Sequence, residues 1–212
     1  MEILEKKQVD NDFEIRCLKT ENKRLLRKIK DNQHELDEMD ERFIDLERTV
    51  NNVDQYIRRE NFEVSGIPDD ISQDNLEDEV INIINTITND TIASRDIEAC
   101  HRLKKDADGS AKVIVRMANR KHTVNVLKNK KKLKEKSTVR GNNVFINENL
   151  SDETKRIFNT ARDLKKNNHL FSCWTFNGKV NIKMKENDQK TIRILHMSEF
   201  EDFFSLKTLG WI

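Results

Sequence analysis

Apolar residues recur at alternating spacings of three and four along the first sixty positions. One series reads Ile15, Asn22, Ile29, Leu36, Phe43, Val50, Ile57 and the other Leu18, Leu25, Asn32, Met39, Leu46, Val53; eleven of these thirteen are apolar, and charged residues and Asn dominate the positions between. A seven-residue period this narrow predicts a coiled coil, because a helix lying on a globule needs a wider apolar stripe. At about 1.5 Å per residue the stretch makes a rod of roughly 65 Å, whose core has to come from partner chains. Asn22 and Asn32 interrupt the seam, where a buried amide costs stability but penalises wrong registers. Arg42-Phe43-Ile44-Asp45-Leu46-Glu47 fits the Arg-h-x-x-h-Glu pattern of parallel trimers, in which the Arg pairs with a Glu of the adjacent chain, so a parallel homotrimer is expected.

The pattern changes after residue 60. Phe62 and Val64 alternate with Glu63 and Ser65 and are stopped by Gly66-Ile67-Pro68, which reads as a strand. Asp74, with Glu77 three residues on, offers an N-cap for a helix carrying Leu76, Val80, Ile83, Ile84 and Ile87. Ile97 to Leu103 and Lys112 to Met117 read as two further strands. Arg120 to Lys134 suits a helix with Val124, Leu127 and Leu133 inward, and Val144-Phe145-Ile146 closes the set. The order β-α-β-β-α-β is the ferredoxin-like plan of RNA-recognition modules. A third helix follows, capped by Ser151, with Ile157, Phe158, Ala161 and Leu164 on its inner face. Asn177-Gly178 between alternating runs then signals a hairpin. With these two residues as the turn, Phe176 faces Lys179 and Trp174 faces Asn181, while Phe171, Cys173, Thr175, Val180, Ile182 and Met184 gather on the core face. The expected fold is therefore α+β: an N-terminal parallel trimeric coiled coil over 1–60, a ferredoxin-like RNA-recognition-type domain over 61–148, and a small α/β C-terminal domain over 149–212.

Composition and charge narrow the function classes. With 36% charged and 35% hydrophobic residues but only five Gly and one Pro, the 212-residue chain is unsuited to one large core and equally to a flexible linker. The net charge of +1 hides segregation: residues 61–100 carry −9 and residues 101–141 carry +11. A local excess of that size is an electrostatic footprint for polyanions. Candidate contacts are Arg102, Lys112, Arg116, Arg120, Lys121, the run Lys128, Lys130, Lys131, Lys132 and Lys134, and Arg140. The bland reading of the lysine run is a solvated helix end or a nuclear-import signal. On the hairpin, Trp174 and Phe176 with Lys179 form either a base-stacking platform or part of the packing under a helix or the tail. No stretch approaches 18 consecutive apolar residues and the first seven lack an apolar signal core, so a cytoplasmic protein without membrane insertion is expected, with nuclear entry as a second destination. Three dispersed cysteines fit a reducing compartment. Cys100 and His101 fall on opposite faces of a strand, the other histidines have no metal spacing, and no Gly-rich phosphate loop exists. Hence no catalytic residue, metal or cofactor is expected.

Five segments together carry a resemblance: Arg58 to Pro68, Ile97 to Leu103, Val113 to Arg116, Ile146 to Ser151, and Trp174 to Val180. In this order they resemble the few-polyhedra proteins of baculoviruses and the related first open-reading-frame proteins of LINE retrotransposons. The resemblance implies a trimeric coil bearing three heads, with single-stranded RNA or DNA held in a basic cleft between the two domains of each head. It further implies phosphate contacts from Arg58, Arg59, Arg102 and Arg116, an aromatic contact from Phe176, and an influence on budded versus occluded virus production. The expected function is non-catalytic, sequence-tolerant packaging or chaperoning of nucleic acid. The alternative is a coiled-coil scaffold or trafficking adaptor acting through viral or host proteins.

Overall fold

The computed structural model describes residues 2–105, 111–133, 138–139, 142–187 and 189–200. The chain divides into two compact units, Met1–Glu47 and Arg48–Ile212. Helix α1 spans Glu2–Ile57, so its last ten residues belong to the second unit.

The first unit is helix alone. None of its described apolar side chains is buried; Leu18, Leu25, Ile29, Leu36, Met39, Phe43 and Leu46 are all exposed, as are Asn22 and Asn32. Charged neighbours one turn apart pair along the surface, Arg24 with Glu21 at 2.5 Å and Arg42 with Glu38 at 3.8 Å. Pairs of this kind contribute about 0.2–0.5 kcal/mol each. Covering an apolar side chain is worth several times more, so the uncovered stripe is the dominant physical feature of this unit.

The second unit holds two hydrophobic clusters. The first is built on a four-stranded antiparallel sheet of β1 (Asn61–Ser65), β2 (Ile97–Arg102), β3 (Val113–Met117) and β6 (Phe145–Glu148), in the order β2-β3-β1-β6. Period-2 alternation sends Phe62, Val64, Val113, Val115, Met117 and Ile146 to one face, where α2 (Gln73–Ile87) and α3 (Arg120–Asn129) cover them. A short ladder of β4 (Thr138–Val139) and β5 (Asn142–Asn143) precedes β6. Gly66 ends β1 at φ +92, and a Cβ there would lie 2.0 Å from the Asn143 carbonyl oxygen, so only glycine fits.

Two helix readings are corrected. α2 begins at Gln73 behind Ser72, not behind Asp74, because the Ser72 carbonyl already accepts the Asn75 N–H at 3.2 Å. α3 stops at Asn129 and gives way to a 3-10 turn over Lys130–Lys132. Its fully buried positions are Thr123 and Val126; of the residues expected inward, Leu133 is buried and Leu127 packs half-buried against the first cluster, while Val124 is half-buried. The Thr123 hydroxyl donates to the Glu60 carbonyl at 3.0 Å, which satisfies this buried polar group.

The second cluster forms between α4 (Asp152–Lys166) and a sheet of β7 (Ser172–Phe176), β8 (Lys179–Lys183) and β9 (Ile192–Ile194), in the order β7-β8-β9. Ser151 caps α4, its Oγ accepting from the Thr154 N–H at 3.2 Å. The hairpin has the expected register, with Phe176 opposite Lys179 and Trp174 opposite Asn181. Asn177 and Gly178 take φ of +51 and +67, the left-handed pair that a two-residue turn requires. Phe171 departs from expectation. It precedes the strand and is 46% exposed instead of joining the core.

The end of α1 bridges both clusters. The Gln55 amide donates to the Asn149 carbonyl and accepts from the Ser151 N–H, each at 2.9 Å. Ser151 Oγ also bonds Asn51. Asn149 donates to Glu63 at 2.8 Å, and Lys155 lies 3.6 Å from the same carboxylate. Glu63 can therefore be 6% exposed on the sheet face opposite α2 and α3 without being left unpartnered.

Candidate nucleic-acid interface

A shallow cleft of about 50 Å³ opens where the end of α1, the start of α3 and the tip of the β7–β8 hairpin meet. Its cations come from two places. The 3-10 turn Arg58–Glu60, which follows α1, supplies Arg58 and Arg59, and the first residue of α3 supplies Arg120. Arg58 is fixed by Asp54 at 2.8 Å and by Asn149 at 3.3 Å. The Arg59 guanidinium lies over the Tyr56 ring, 3.6 Å from its centroid, which orients the charge while leaving its donors available. Arg120 is exposed beside the positive end of the α3 macrodipole.

Among the described residues one acid lines the cleft, Glu148, and its oxygens are engaged. They accept the backbone N–H of Asn177 at 3.1 Å and of Gly178 at 2.7 Å. The opposite side of the turn rests on Gln55, whose side chain would sit 2.2 Å from a Cβ at position 178. The hairpin tip is thus held against the cleft wall from two sides. Beside it, Phe176 is 58% exposed and Trp174, on the same face, 37%; α4 lies on the opposite face. Lys179 pairs with Phe176 across the turn. The arrangement offers guanidinium groups for phosphates next to an uncovered aromatic ring.

Other sequence candidates lie elsewhere. Arg102 pairs in register with Val113, which places it on the helix-covered side of the sheet. There it donates to the carbonyls of Ile67, Pro68 and Ile71 at 3.4, 2.6 and 3.2 Å, and Asp69 is 3.7 Å away. The phosphate-contact role expected for Arg102 is replaced by that of a clamp on the β1–α2 loop, because this face turns it towards main chain. Lys105, 2.5 Å from Asp69, holds that carboxyl below its usual range through a hydrogen bond. Arg116 does reach the uncovered sheet face, but Glu98 at 2.9 Å and Glu60 at 3.8 Å balance its charge. Lys112 is half-buried just before β3. Lys121 is exposed on the first turn of α3, near Arg120 in sequence, whereas Lys128, Lys130, Lys131 and Lys132 sit at the helix's other end, where Lys132 donates to the Ile87 carbonyl at 3.3 Å. Lys134 and Arg140 lie outside the described residues. Arg42, Phe43, Leu46 and Glu47 belong to the exposed helix of the first unit.

Three residues were missed by sequence reasoning. Gln55 falls at a polar coil position and carried no signal. Glu148 was noticed only as part of a motif. Phe145 was legible: Val144 and Ile146 are buried, so strict alternation puts it, exposed, on the open sheet face opposite Ser65. Among the described residues, no group of three or more His, Cys, Asp or Glu side chains is placed to hold a metal ion, and no helix is long and apolar enough to cross a membrane. No family model matches this chain, and no curated protein matches it.

Proposed function

We propose that this protein binds single-stranded nucleic acid, RNA in the first instance, without catalysis and with little sequence preference, and packages or chaperones it as a parallel homotrimer of the few-polyhedra type. The observation that carries the reading is the meeting of Arg58, Arg59 and Arg120 with the hairpin tip that presents Phe176 and Lys179. Guanidinium groups neutralise phosphates and an open ring stacks a base of any identity, which is the combination that sequence-tolerant single-strand binders use. The sheet order β2-β3-β1-β6 with both helices on one face supports an RNA-recognition-type first domain. Trimerisation draws its support from the exposed heptad stripe and the Arg42–Glu47 pattern. Joining three weak sites raises avidity by local concentration.

The test is anisotropy of a labelled single strand at several salt concentrations between about 50 and 200 mM. Affinity should fall steeply with salt. Arg59→Ala combined with Arg120→Ala should weaken binding and flatten the log–log slope by at least about 1.4, the value for two lost phosphate contacts to a single strand. These two are chosen because, unlike Arg58 and Arg102, neither guanidinium hydrogen-bonds the main chain or a side chain of another element among the described residues. Salt-independent binding, or an unchanged slope in the double variant, removes the reading.

A further inference from the structure

The two main sheets have four edge strands, and three of them are closed against strand addition. β2 carries a bulge between Ile97 and Ala99, and Gln73 donates to its Cys100 carbonyl at 2.8 Å. β9 is three residues long with a charged Arg193, and the following N–H, of Leu195, is taken by Glu199 at 3.0 Å. β6 is four residues long and ends under the Gln55 bridge to Asn149. Bulges, charges, short length and coverage are the usual ways of blunting an edge. The fourth edge, β7, has none of them: Ser172-Cys173-Trp174-Thr175-Phe176 contains no proline and no charge, and it pairs with β8 without a register shift.

The hairpin register says which groups are free. A two-residue turn makes Phe176 and Lys179 a hydrogen-bonded pair, so the alternate pairs are bonded too, and the N–H and C=O of Cys173 and Thr175 point away from β8. No hydrogen bond between described residues reaches this edge. Alongside it runs a groove between α4 and β7, lined by Phe158, Arg162, Lys165, Lys166 and Cys173. Every charged residue in that lining is a cation. On the other face of the strand Trp174 is exposed.

We propose that β7 receives an extended peptide as an added strand, and that the peptide alternates acidic and apolar residues. The acidic side chains would face Arg162, Lys165 and Lys166, and the apolar ones Trp174. A second copy of β7 fits poorly, since pairing edge to edge brings two sets of three cations together. A polynucleotide fits poorly for a different reason: its backbone has no alternating N–H and C=O groups at strand spacing to match those of Cys173 and Thr175. The three cations and Cys173 lie outside the nucleic-acid cleft, so the proposal does not rest on that reading.

The experiment titrates the full-length, nitrogen-15-labelled protein with a capped heptapeptide alternating glutamate and valine. Saturable shifts of the Cys173 and Thr175 amides are expected. The lysine–valine analogue should bind at least tenfold more weakly, and so should the parent peptide to the Arg162→Gln, Lys165→Gln variant. N-methylating one alternating set of peptide amides should abolish binding while methylating the other set spares it, a contrast that leaves the protein itself unchanged. Equal binding by both methylated peptides rules out strand addition, and equal binding by the lysine analogue rules out charge recognition. A single-stranded oligonucleotide that displaces the peptide and shifts the same amides would assign the groove to nucleic acid. Shifts that grow with protein concentration alone would assign it to a second copy.

Discussion

Leu36 and Leu76 are both apolar residues on amphipathic helices, yet Leu36 is 53% exposed and Leu76 fully buried. The difference lies in the periods of the two sequences. In α2 the apolar residues Leu76, Val80, Ile83, Ile84 and Ile87 make a stripe broad enough to lie on a sheet, and the chain supplies that sheet. In the first unit the apolar positions keep a narrow seven-residue seam, a shape that fits another helix of the same kind and little else. One region carries its own core, and the other leaves its apolar seam uncovered within the chain.

Truncating the two leucines should separate these cases most sharply. Leu76→Ala removes a side chain with no exposure from the first cluster of the second unit, and the expected cost is about 2–5 kcal/mol of unfolding free energy. Leu36→Ala deletes no burial within the chain. It should leave the urea transition of the second unit within about 0.5 kcal/mol of the parent, the usual range for surface changes, while lowering the mass found by sedimentation at limiting concentration. A shifted transition for Leu36→Ala, or an unaltered mass, breaks the contrast between a complete core and a shared one.

A smaller effect sharpens the comparison inside the second unit, where arginines serve two purposes. Arg102 is four-fifths shielded and holds three loop carbonyls, so Arg102→Ala should cost about 1–3 kcal/mol in urea unfolding. Lysine would not rescue it, because a single ammonium cannot span the carbonyls that the planar fork reaches. Arg59→Ala loses only its contact with Tyr56, worth about 0.5–1 kcal/mol. If the two variants unfold at the same urea concentration, Arg102 is not the loop clamp described.

Much of this was legible in the chain because period and turn chemistry are local. The heptads gave the long helix, alternation gave the strands and the face of β3, and Asn177-Gly178 gave the hairpin register to the residue. What failed depended on partners distant in sequence. Arg102 reads as one more cation in a basic segment until β2 turns it towards carbonyls some thirty residues earlier. The burial of Thr123 in α3 rests on its reaching the Glu60 carbonyl, 63 residues away. The cleft itself is made by Gln55 and Glu148, which tie the hairpin tip to α1 and β6 and which no periodicity marks. The basic segment also misled as a unit, since α3 sends Arg120 to the cleft and the lysine run to its opposite end.

A thiol in each region sets the two against each other. Cys17 lies exposed on the helix of the first unit, and Cys100 is half-buried in β2 with its side chain turned towards the first cluster. Burial pushes the Cys100 thiol up to about 11, with the nearby Glu77 carboxylate adding to the shift. The thiolate is the nucleophile, so at pH 8 a disulfide reagent should modify Cys17 first and Cys100 only slowly. The same shift makes stability depend on pH. Because the folded state keeps its proton where the unfolded thiol, near 9, has lost it, the contribution is complete below about pH 9 and disappears as pH rises through about 11. Unfolding midpoints of the parent should therefore decline across that window more steeply than those of Cys100→Ala, whereas Cys17→Ala should follow the parent. Parallel declines in parent and Cys100→Ala, or equal modification rates at the two positions, would mean that β2 does not shield its thiol and that the second unit is looser at this edge than its core implies.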